Sequence, residues 1–260
     1  MSKNKIQSQL KELLKETNKP EEFVSRLHRI LQAYSDEELS SSYRNLVPEM
    51  GKAFGTPKPV LVIIADELGK YGQKNPQPIF SILKPLWENG SYEERDIVGK
   101  TIERLGKKYP DECLKLIPSF LGDLDNWSVC DVLAGMGMRP LVISRQKEVL
   151  SLCEKCVKDK NKWIRRFGVV TLWSFKKIPA PPKVFNVLNQ VMADRDKDVK
   201  KSVAWILRQM SYKNPKEVAK FLTTWIDGNP NKDTRWIIKN SVKKLSKQEQ
   251  DAILGKLKGD

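Results

Sequence analysis

Apolar residues recur at spacings of three and four positions along nearly the whole chain, and stretches that alternate apolar and polar residues are almost absent. This spacing is typical of amphipathic helices that each bury one stripe of side chains. The pattern therefore predicts an all-α protein. The predicted helices cover residues 3–16, 20–34, 37–53, 57–72, 76–88, 92–108, 110–121, 126–136, 140–158, 161–176, 182–193, 197–211, 215–226, 232–244 and 247–257.

Local signals agree with these boundaries. Pro20 and Pro215 fall in predicted first turns, where the missing N–H of proline costs little. The segment Ser35–Glu38 fits a capping box, and Gly90 stands beyond a predicted helix end. The proline-rich segment 179–182 predicts a stiff turn rather than a domain boundary, because the helical pattern resumes directly after it.

The predicted helices are short, and helix pairs repeat about every 35–40 residues, which is the period of HEAT-type repeats. The self-similarity between repeats is weak. We therefore expect a single domain over residues 1–260, an α-solenoid of degenerate HEAT-like helix pairs with a concave groove for a long partner. Residues 1–54 fit this pattern less well than the rest of the chain.

Two tryptophans lie where an amphipathic helix should be polar. Trp127 and Asp131 are four residues apart and share one helix face, roughly opposite the aliphatic residues of the same segment. Trp205 lies off the apolar stripe of its helix, between Lys201 and Arg208. Aromatic residues among charged ones favour a binding surface, although an incidentally exposed tryptophan explains an isolated Trp-x-x-x-Asp more often.

An arginine also lies on an apolar face. Arg166 shares its predicted helix face with Trp163 and Trp173. Such an arginine can snorkel along the apolar surface, or its planar fork can be held rigid to meet a phosphate. Both interpretations are open on the residues alone.

The charge of the chain points to a polyanionic partner. The formal net charge is +15 at pH 7, and the sequence pI is near 9.6. Nucleic acid fits this excess best, with a solvated lysine-rich surface and an anionic membrane as alternatives. The basic residues of the second half either line a phosphate-binding track or only occupy helix ends. They include Lys155, Lys158, Lys160, Lys162, Arg165, Arg166, Lys176, Lys177, Lys183, Lys197, Lys200, Lys201 and Arg208.

The residue inventory narrows the possible chemistry. The one histidine, His28, has no metal-ligand spacing around it, so we expect a surface histidine, and histidine-based triads and metal sites are not supported. Cys153 and Cys156 form a CxxC without a second pair, which predicts buried thiols. Dinucleotide and P-loop motifs are absent. If the protein is an enzyme, a carboxylate must therefore carry the reaction, and Asp131 is the candidate.

Targeting signals are also missing from the sequence. No segment approaches the roughly 18 apolar residues of a membrane span, and no apolar region follows the N-terminus as in a secretory signal. We expect a cytoplasmic protein, nucleoid-associated in a prokaryote, that works as a monomer without a cofactor or a metal.

Three segments, taken in chain order, carry a family resemblance. They are Asn126–Asp131, Asn161–Arg166 and Lys201–Arg208, and the segment Pro85–Arg95 precedes them. With this order and spacing, the chain resembles the AlkD-like DNA alkylation repair proteins from about Gly55 to Leu245. That family consists of all-helical DNA glycosylases built from HEAT-like repeats.

The resemblance implies a role for each singled-out residue. Asp131 would be catalytic, Trp127 and Trp205 would form aromatic walls around the lesion nucleotide, and Arg166 would lie beside the DNA backbone. The further expected DNA-binding residues are Lys201, Arg208, Arg165 and Lys162.

The implied activity is base excision repair of duplex DNA. The enzyme would hydrolyse the N-glycosyl bond of alkylated purines such as 3-methyladenine and 7-methylguanine, without enclosing the base in a pocket. One alternative is a relative that binds damaged or branched DNA without hydrolysis. The other is a HEAT-like scaffold that binds proteins.

Overall fold

The computed structural model describes residues 3–88, 90–177 and 182–259. These residues are largely helical and contain no β-strand, so the all-α prediction is confirmed. The chain divides into two compact units, Met1–Arg145 and Gln146–Asp260. The expected single domain over residues 1–260 stays a prediction. Among the described residues, no helix combines the length and apolarity needed to cross a membrane.

The first unit consists of stacked helices. Their bounds are α1 Lys3–Leu13, α2 Pro20–Ala33, α3 Glu37–Leu46, α4 Lys58–Gly72, α5 Pro76–Glu88, α6 Tyr92–Leu105, α7 Pro110–Leu116, α8 Trp127–Val132 and α9 Arg139–Ser144. One row runs α1, α4, α6 and α8, while α2 packs on α5 and α7 packs on α9. Leu68 and Ile102 are fully buried, as is Trp87, whose ring stacks on Phe120 at a centroid distance of 4.7 Å.

The second unit repeats the same plan. Its helices are α10 Gln146–Cys156, α11 Lys162–Thr171, α12 Pro182–Asn189, α13 Lys197–Ser211, α14 Pro215–Asp227, α15 Lys232–Ser241 and α16 Lys247–Gly259. One row runs α11, α13 and α15, while α10 packs on α12 and α14 packs on α16. The predicted core stripe of α13 is buried. It comprises Val199, Val203, Ile206, Leu207 and Met210.

Five helices begin at a constant interval of 35 residues, and a side chain caps each of them. The N-caps are Ser91 for α6, Asn126 for α8, Asn161 for α11, Asp196 for α13 and Asn231 for α15. Each side-chain oxygen accepts a hydrogen bond from a backbone N–H of the first turn, which the helix start would otherwise leave without a partner. The interval lies within the predicted repeat length.

Two predicted helices end earlier than expected. The prediction of a helix over residues 37–53 is wrong beyond Leu46, because Val47 (φ −129°, ψ 82°) precedes Pro48, which disfavours helical backbone. The predicted helix over 140–158 is broken at Arg145 (φ −137°, ψ 47°). The guanidinium of Arg145 donates to the Asp111 carboxylate of α7 at 2.8 and 3.0 Å. This ion pair connects Arg145 to α7, and α9 and α10 are separate helices on either side of it.

Most other boundary signals are confirmed. Pro20 and Pro215 are the first residues of α2 and α14. The N-cap of α3 is Asp36 rather than Ser35, and its side chain accepts from the backbone N–H of Leu39 at 2.8 Å. Several predicted helices continue as 3₁₀ segments, and their ends differ from prediction by a few residues. Of the predicted proline-rich turn at 179–182, residues 179–181 lie outside the described residues.

A tight turn at residues 54–56 anchors the start of α6. Gly55 has a φ of +78°, and a Cβ there would lie 2.0 Å from the Asp36 carbonyl oxygen, so only glycine fits. The buried Glu93 carboxylate accepts the backbone N–H groups of this turn at distances from 2.8 to 3.1 Å. Burial nevertheless raises the pKa of Glu93 above its usual value.

Candidate functional site

The functional candidates fall into repeating positions of the capped helices. Residues one, five and nine positions after each N-cap are four apart, so they share one helix face, which we call the register face. It comprises Tyr92, Asp96 and Lys100 of α6, Trp127, Asp131 and Gly135 of α8 and its continuation, Lys162, Arg166 and Val170 of α11, Lys197, Lys201 and Trp205 of α13, and Lys232, Trp236 and Asn240 of α15. All predicted site residues except Arg165 and Arg208 belong to this face.

Helix α8 places Trp127 and Asp131 at the edge of the core of the first unit. Asn126 caps the helix, so Trp127 is its first residue and Asp131 lies one turn later. Val129 and Cys130 are buried, whereas Trp127 and Asp131 are only partly buried. The position of Trp127 off the core face therefore agrees with the spacing of the sequence.

The helix widens directly after this pair. Leu133–Gly137 forms a π turn, in which the Met138 N–H donates to the Leu133 carbonyl at 3.1 Å. Such turns are frequent at functional sites. A Cβ added at Gly99 of α6 would lie 2.8 Å from Val132 Cγ1. The missing side chain on α6 therefore lets α8 approach closely and fixes the helix that carries Asp131.

Helix α6 adds a buried polar group beside α8. Asp96 and Lys100 on its register face form an ion pair, and both residues are buried. The Tyr92 hydroxyl lies 3.5 Å from the Ser128 hydroxyl of α8. Burial raises the pKa of Tyr92 to about 12, which keeps the phenol neutral at physiological pH. Sequence reasoning missed this group, although the 35-residue interval from Asp96 to Asp131 could have revealed it.

In the second unit, Trp205 lies on the register face of α13 and is partly buried. Its ring centroid is 5.8 Å from that of Trp173, with an angle of 35° between the ring planes. The geometry is within the range of favourable aromatic pairs. The sequence placed Trp173 on the face of Arg166 but did not connect it with Trp205, because the two belong to different repeats.

Arg166 is held by the next helix. Only 9% of the residue is exposed, and its Nη1 donates to the carbonyl oxygen of Asp198 at 2.7 Å. The Asp198 carboxylate lies 2.9 Å from Lys162 Nζ. That ammonium lies 4.3 Å from a ring centroid of Trp163. Asp198 is an acid in a basic helix, and a neighbouring lysine balances its charge.

The other predicted DNA-binding residues differ in their surroundings. Arg165 donates to both carboxylate oxygens of Asp194, at 2.7 and 3.2 Å, and so ties α11 to the turn before α13. Arg208 donates to the Asn240 carbonyl at 2.6 Å, and burial lowers the pKa of its guanidinium. Lys201 is exposed on the register face. Of these three residues, Lys201 is the most exposed.

Two further groups lie away from the register face. His28, expected on the surface, is instead largely buried, with 20% of its side chain exposed and its Nδ1 3.3 Å from Glu94 Oε1. Cys153 and Cys156 are buried as predicted, and burial raises the pKa of Cys156 to about 12 and that of Cys153 well above its usual value. Thiolate chemistry is thereby suppressed. The described residues contain no group of three or more His, Cys, Asp or Glu side chains that could hold a metal ion.

The two units contribute different candidates. The first carries Trp127 and Asp131, and the second carries Arg166 and Trp205. The expectation that these residues surround one nucleotide stays a prediction.

These features define an all-helical protein of repeated helix pairs whose capped helices present a common register of charged and aromatic residues. The family model described as DNA alkylation repair enzyme matches residues 27–245. The chain belongs to this family. The match begins earlier than Gly55, where the resemblance was expected to start.

Solved structures show the same fold. One, described as "Predicted DNA alkylation repair enzyme from Enterococcus faecalis", superposes with a TM-score of 0.70 at 14% identity, over 82% of this chain and 97% of that chain. The protein smu.31 from Streptococcus mutans has a TM-score of 0.51 at 21% identity, over 70% of this chain and 92% of that chain.

A curated relative is similar in sequence. "Uncharacterized protein YhaZ" of Bacillus subtilis is 27% identical over 156 residues, which cover 56% of this chain and 41% of that protein. The matched part of the chain therefore spans about two-fifths of the length of this relative.

Proposed function

We propose that this protein is a DNA N-glycosylase that removes alkylated, positively charged purines such as 3-methyladenine and 7-methylguanine from duplex DNA. The observation that carries the proposal is the pair Trp127 and Asp131, one turn apart at the capped start of α8, in a member of the DNA alkylation repair enzyme family. Asp131 is partly buried, lies one turn after Trp127 and directly precedes a π turn, as expected for a preorganised group.

The chemistry requires little of the protein, because the lesion supplies the leaving group. Alkylation at N3 or N7 gives the purine a positive charge, and the base departs neutral when it takes both electrons of its bond to C1′. Positive charge then develops on the deoxyribose, where the carboxylate of Asp131 stabilises it. The same carboxylate orients a water whose oxygen bonds to C1′ and whose proton passes to the carboxylate and then to solvent.

The aromatic residues act on the same developing charge. The face of an indole attracts a cation, so Trp127 favours a positively charged sugar over a neutral one. Trp205 is held by its contact with Trp173 at 5.8 Å and serves as the second wall in this proposal. No deep pocket is needed, because the base is not the group that the enzyme must polarise.

The second unit supplies the affinity for DNA. Lys201 and Lys197 are exposed on the register face, and Arg166 is fixed by the Asp198 carbonyl. Lysine and arginine contacts to phosphates release counterions, so we expect affinity to fall steeply as salt increases. We propose Lys162 and Arg208 as weaker contributors because each is also engaged with a neighbouring helix.

The decisive experiment is the release of 7-methylguanine from alkylated duplex DNA. We expect the wild-type protein to release the base and Asp131→Asn to be slower by about 100-fold or more, because an amide cannot balance the developing charge. DNA affinity should be retained, since the lost group does not contact phosphates. Asp123→Asn is the matched control, because Asp123 is an exposed acid shortly before α8.

Other results would support other functions. Salt-sensitive DNA binding without release would indicate a relative that binds damaged or branched DNA without hydrolysis. The absence of salt-sensitive binding would indicate a protein scaffold. Equal losses in Asp131→Asn and Asp123→Asn would remove Asp131 from the mechanism.

A further inference from the structure

Trp236 is an exposed aromatic residue at a register-face position that carries charge in the neighbouring helices. It is 37% exposed, whereas Ile237 and Ile238 beside it are fully buried. It lies five residues after the N-cap of α15, which is the position of Arg166 in α11 and of Lys201 in α13. The indole is therefore presented on the same face as the proposed phosphate-binding residues of its own unit.

A lysine of α13 lies over the ring of Trp236. Lys200 Nζ of α13 lies 5.6 Å from a ring centroid, and the same ammonium is 2.5 Å from the Asp233 carboxylate of α15. The cation over the ring favours a position of the indole against α13. The exposed part of the ring can lie against an apolar surface of a partner.

The surroundings of Trp236 are basic. Lys201, Lys232 and Lys239 are exposed on α13 and α15, which pack on each other. An apolar ring among lysines complements a partner that alternates apolar and anionic groups. The sugar–phosphate backbone of DNA has this alternation, because each deoxyribose lies between two phosphates.

We propose that Trp236 is a DNA-contact residue whose indole lies against a deoxyribose of the duplex, while Lys201 and Lys232 meet flanking phosphates. Helix α15 then extends the DNA-binding surface of the second unit by one repeat beyond Trp205. The inference rests on the proposed DNA-directed function. It assigns affinity, rather than catalysis, to this tryptophan.

Salt titrations of duplex binding separate this contact from a phosphate contact. We expect Trp236→Ala to weaken binding about five- to tenfold at every salt concentration, at the lower end of what aromatic contacts to nucleic acid contribute. The slope of affinity against salt should not change, because an indole releases no counterions. Trp236→Phe should retain most of the affinity.

Tyr212 provides the matched control. It is 60% exposed, and Lys244 Nζ lies 5.6 Å from its ring centroid, but it lies outside the register face. Tyr212→Ala should change affinity less than twofold. Circular dichroism and thermal melting verify that each variant is folded, and Trp236→Gln, a change tolerated at an exposed helical position, gives the same test if Trp236→Ala is unstable.

DNA binding by the wild-type protein tests the proposed function, and the difference between Trp236→Ala and Tyr212→Ala tests the contact of Trp236. If the wild-type protein binds no DNA, the proposed function fails before Trp236 is tested. If the wild type binds and Trp236→Ala matches Tyr212→Ala, the contact does not exist. A reduced salt slope in Trp236→Ala would also overturn it, because the indole would then only support the neighbouring lysines.

Discussion

The register faces of the two units have different residues at equivalent positions after the N-caps: aromatic residues and aspartates in the first unit, mainly basic residues in the second. In the first unit, α6 and α8 each begin with an aromatic residue followed four positions later by aspartate, Tyr92 with Asp96 and Trp127 with Asp131. In the second unit, α11, α13 and α15 each begin with lysine, and a basic residue follows four positions later in α11 and α13. In the proposed function, the first unit therefore carries out the bond-breaking chemistry and the second unit binds the DNA backbone.

The first unit also contains its own contrast. Asp96 of α6 is neutralised within its helix by Lys100, and both are buried. At the equivalent position after Asp131 the chain has Gly135, which lies in the π turn. The aspartate of α6 therefore belongs to an ion pair within its own helix. In the proposed function, the aspartate at the equivalent position of α8 takes part in the chemistry.

The largest stability effect should come from breaking the buried pair of α6. Lys100→Met leaves the Asp96 carboxylate buried without its counter-charge, which should cost about 3–5 kcal/mol in the free energy of unfolding. Urea titration followed by circular dichroism measures this loss. The double variant Asp96→Asn with Lys100→Met should recover much of it, because no buried charge remains.

An ion pair between α11 and α13 of the second unit should contribute less to stability. Lys162 and Asp198 keep 34% and 20% of their side chains exposed, so Asp198→Asn should cost about 1 kcal/mol or less. Equal losses in the free energy of unfolding for Lys100→Met and Asp198→Asn would contradict the view that the register face of α6 mainly stabilises the fold. Full loss in the double variant would show that Lys100 acts through something other than Asp96.

A smaller loss of stability is expected for Gly99→Ala, and this variant tests whether the close approach of α6 positions α8 for catalysis. In Gly99→Ala the new Cβ would lie 2.8 Å from Val132 Cγ1, so α8 must shift. Overpacking of this kind costs about 1–3 kcal/mol, and we expect an additional loss in the rate of 7-methylguanine release. Gly168→Ala is the control in the second unit, where the Cβ would lie 2.9 Å from Cys156 Cβ. If both variants lose rate in proportion to stability, the close approach does not position Asp131.

Local spacing predicted most of the fold. The apolar stripe of α13 and the proline starts of α2 and α14 follow from side-chain periodicity and from the missing N–H of proline. The break at Arg145 could not be predicted, because its cause is an ion pair with Asp111, 34 residues earlier. Similarly, His28 looked like a surface residue because its partner Glu94 is 66 residues away.

The candidate site was predicted unevenly for the same reason. Trp127, Asp131 and Trp205 were singled out as candidates because each departs from the apolar stripe of its own helix. Asp96 and Trp236 were not recognised as residues of the register face. Each lies five positions after the N-cap of its own helix, and this position is informative only when it is compared with the same position in other repeats. The interval of 35 residues is visible in the sequence, but capping identifies which asparagines, aspartates and serines mark it.

The proposed DNA-binding role of the second unit predicts a small change in affinity with a distinct dependence on salt. Lys201→Ala should weaken duplex binding and reduce the slope of log affinity against log salt by about one. The variant makes one phosphate contact fewer, so binding releases fewer counterions. Lys220→Ala is the control, since Lys220 is an exposed lysine on α14, which does not carry the register face. The two variants remove the same charge from the same unit, so net charge alone predicts equal effects. A slope that falls only for Lys201 would therefore locate the phosphate track on the register face, and equal slopes would show that binding depends on total charge.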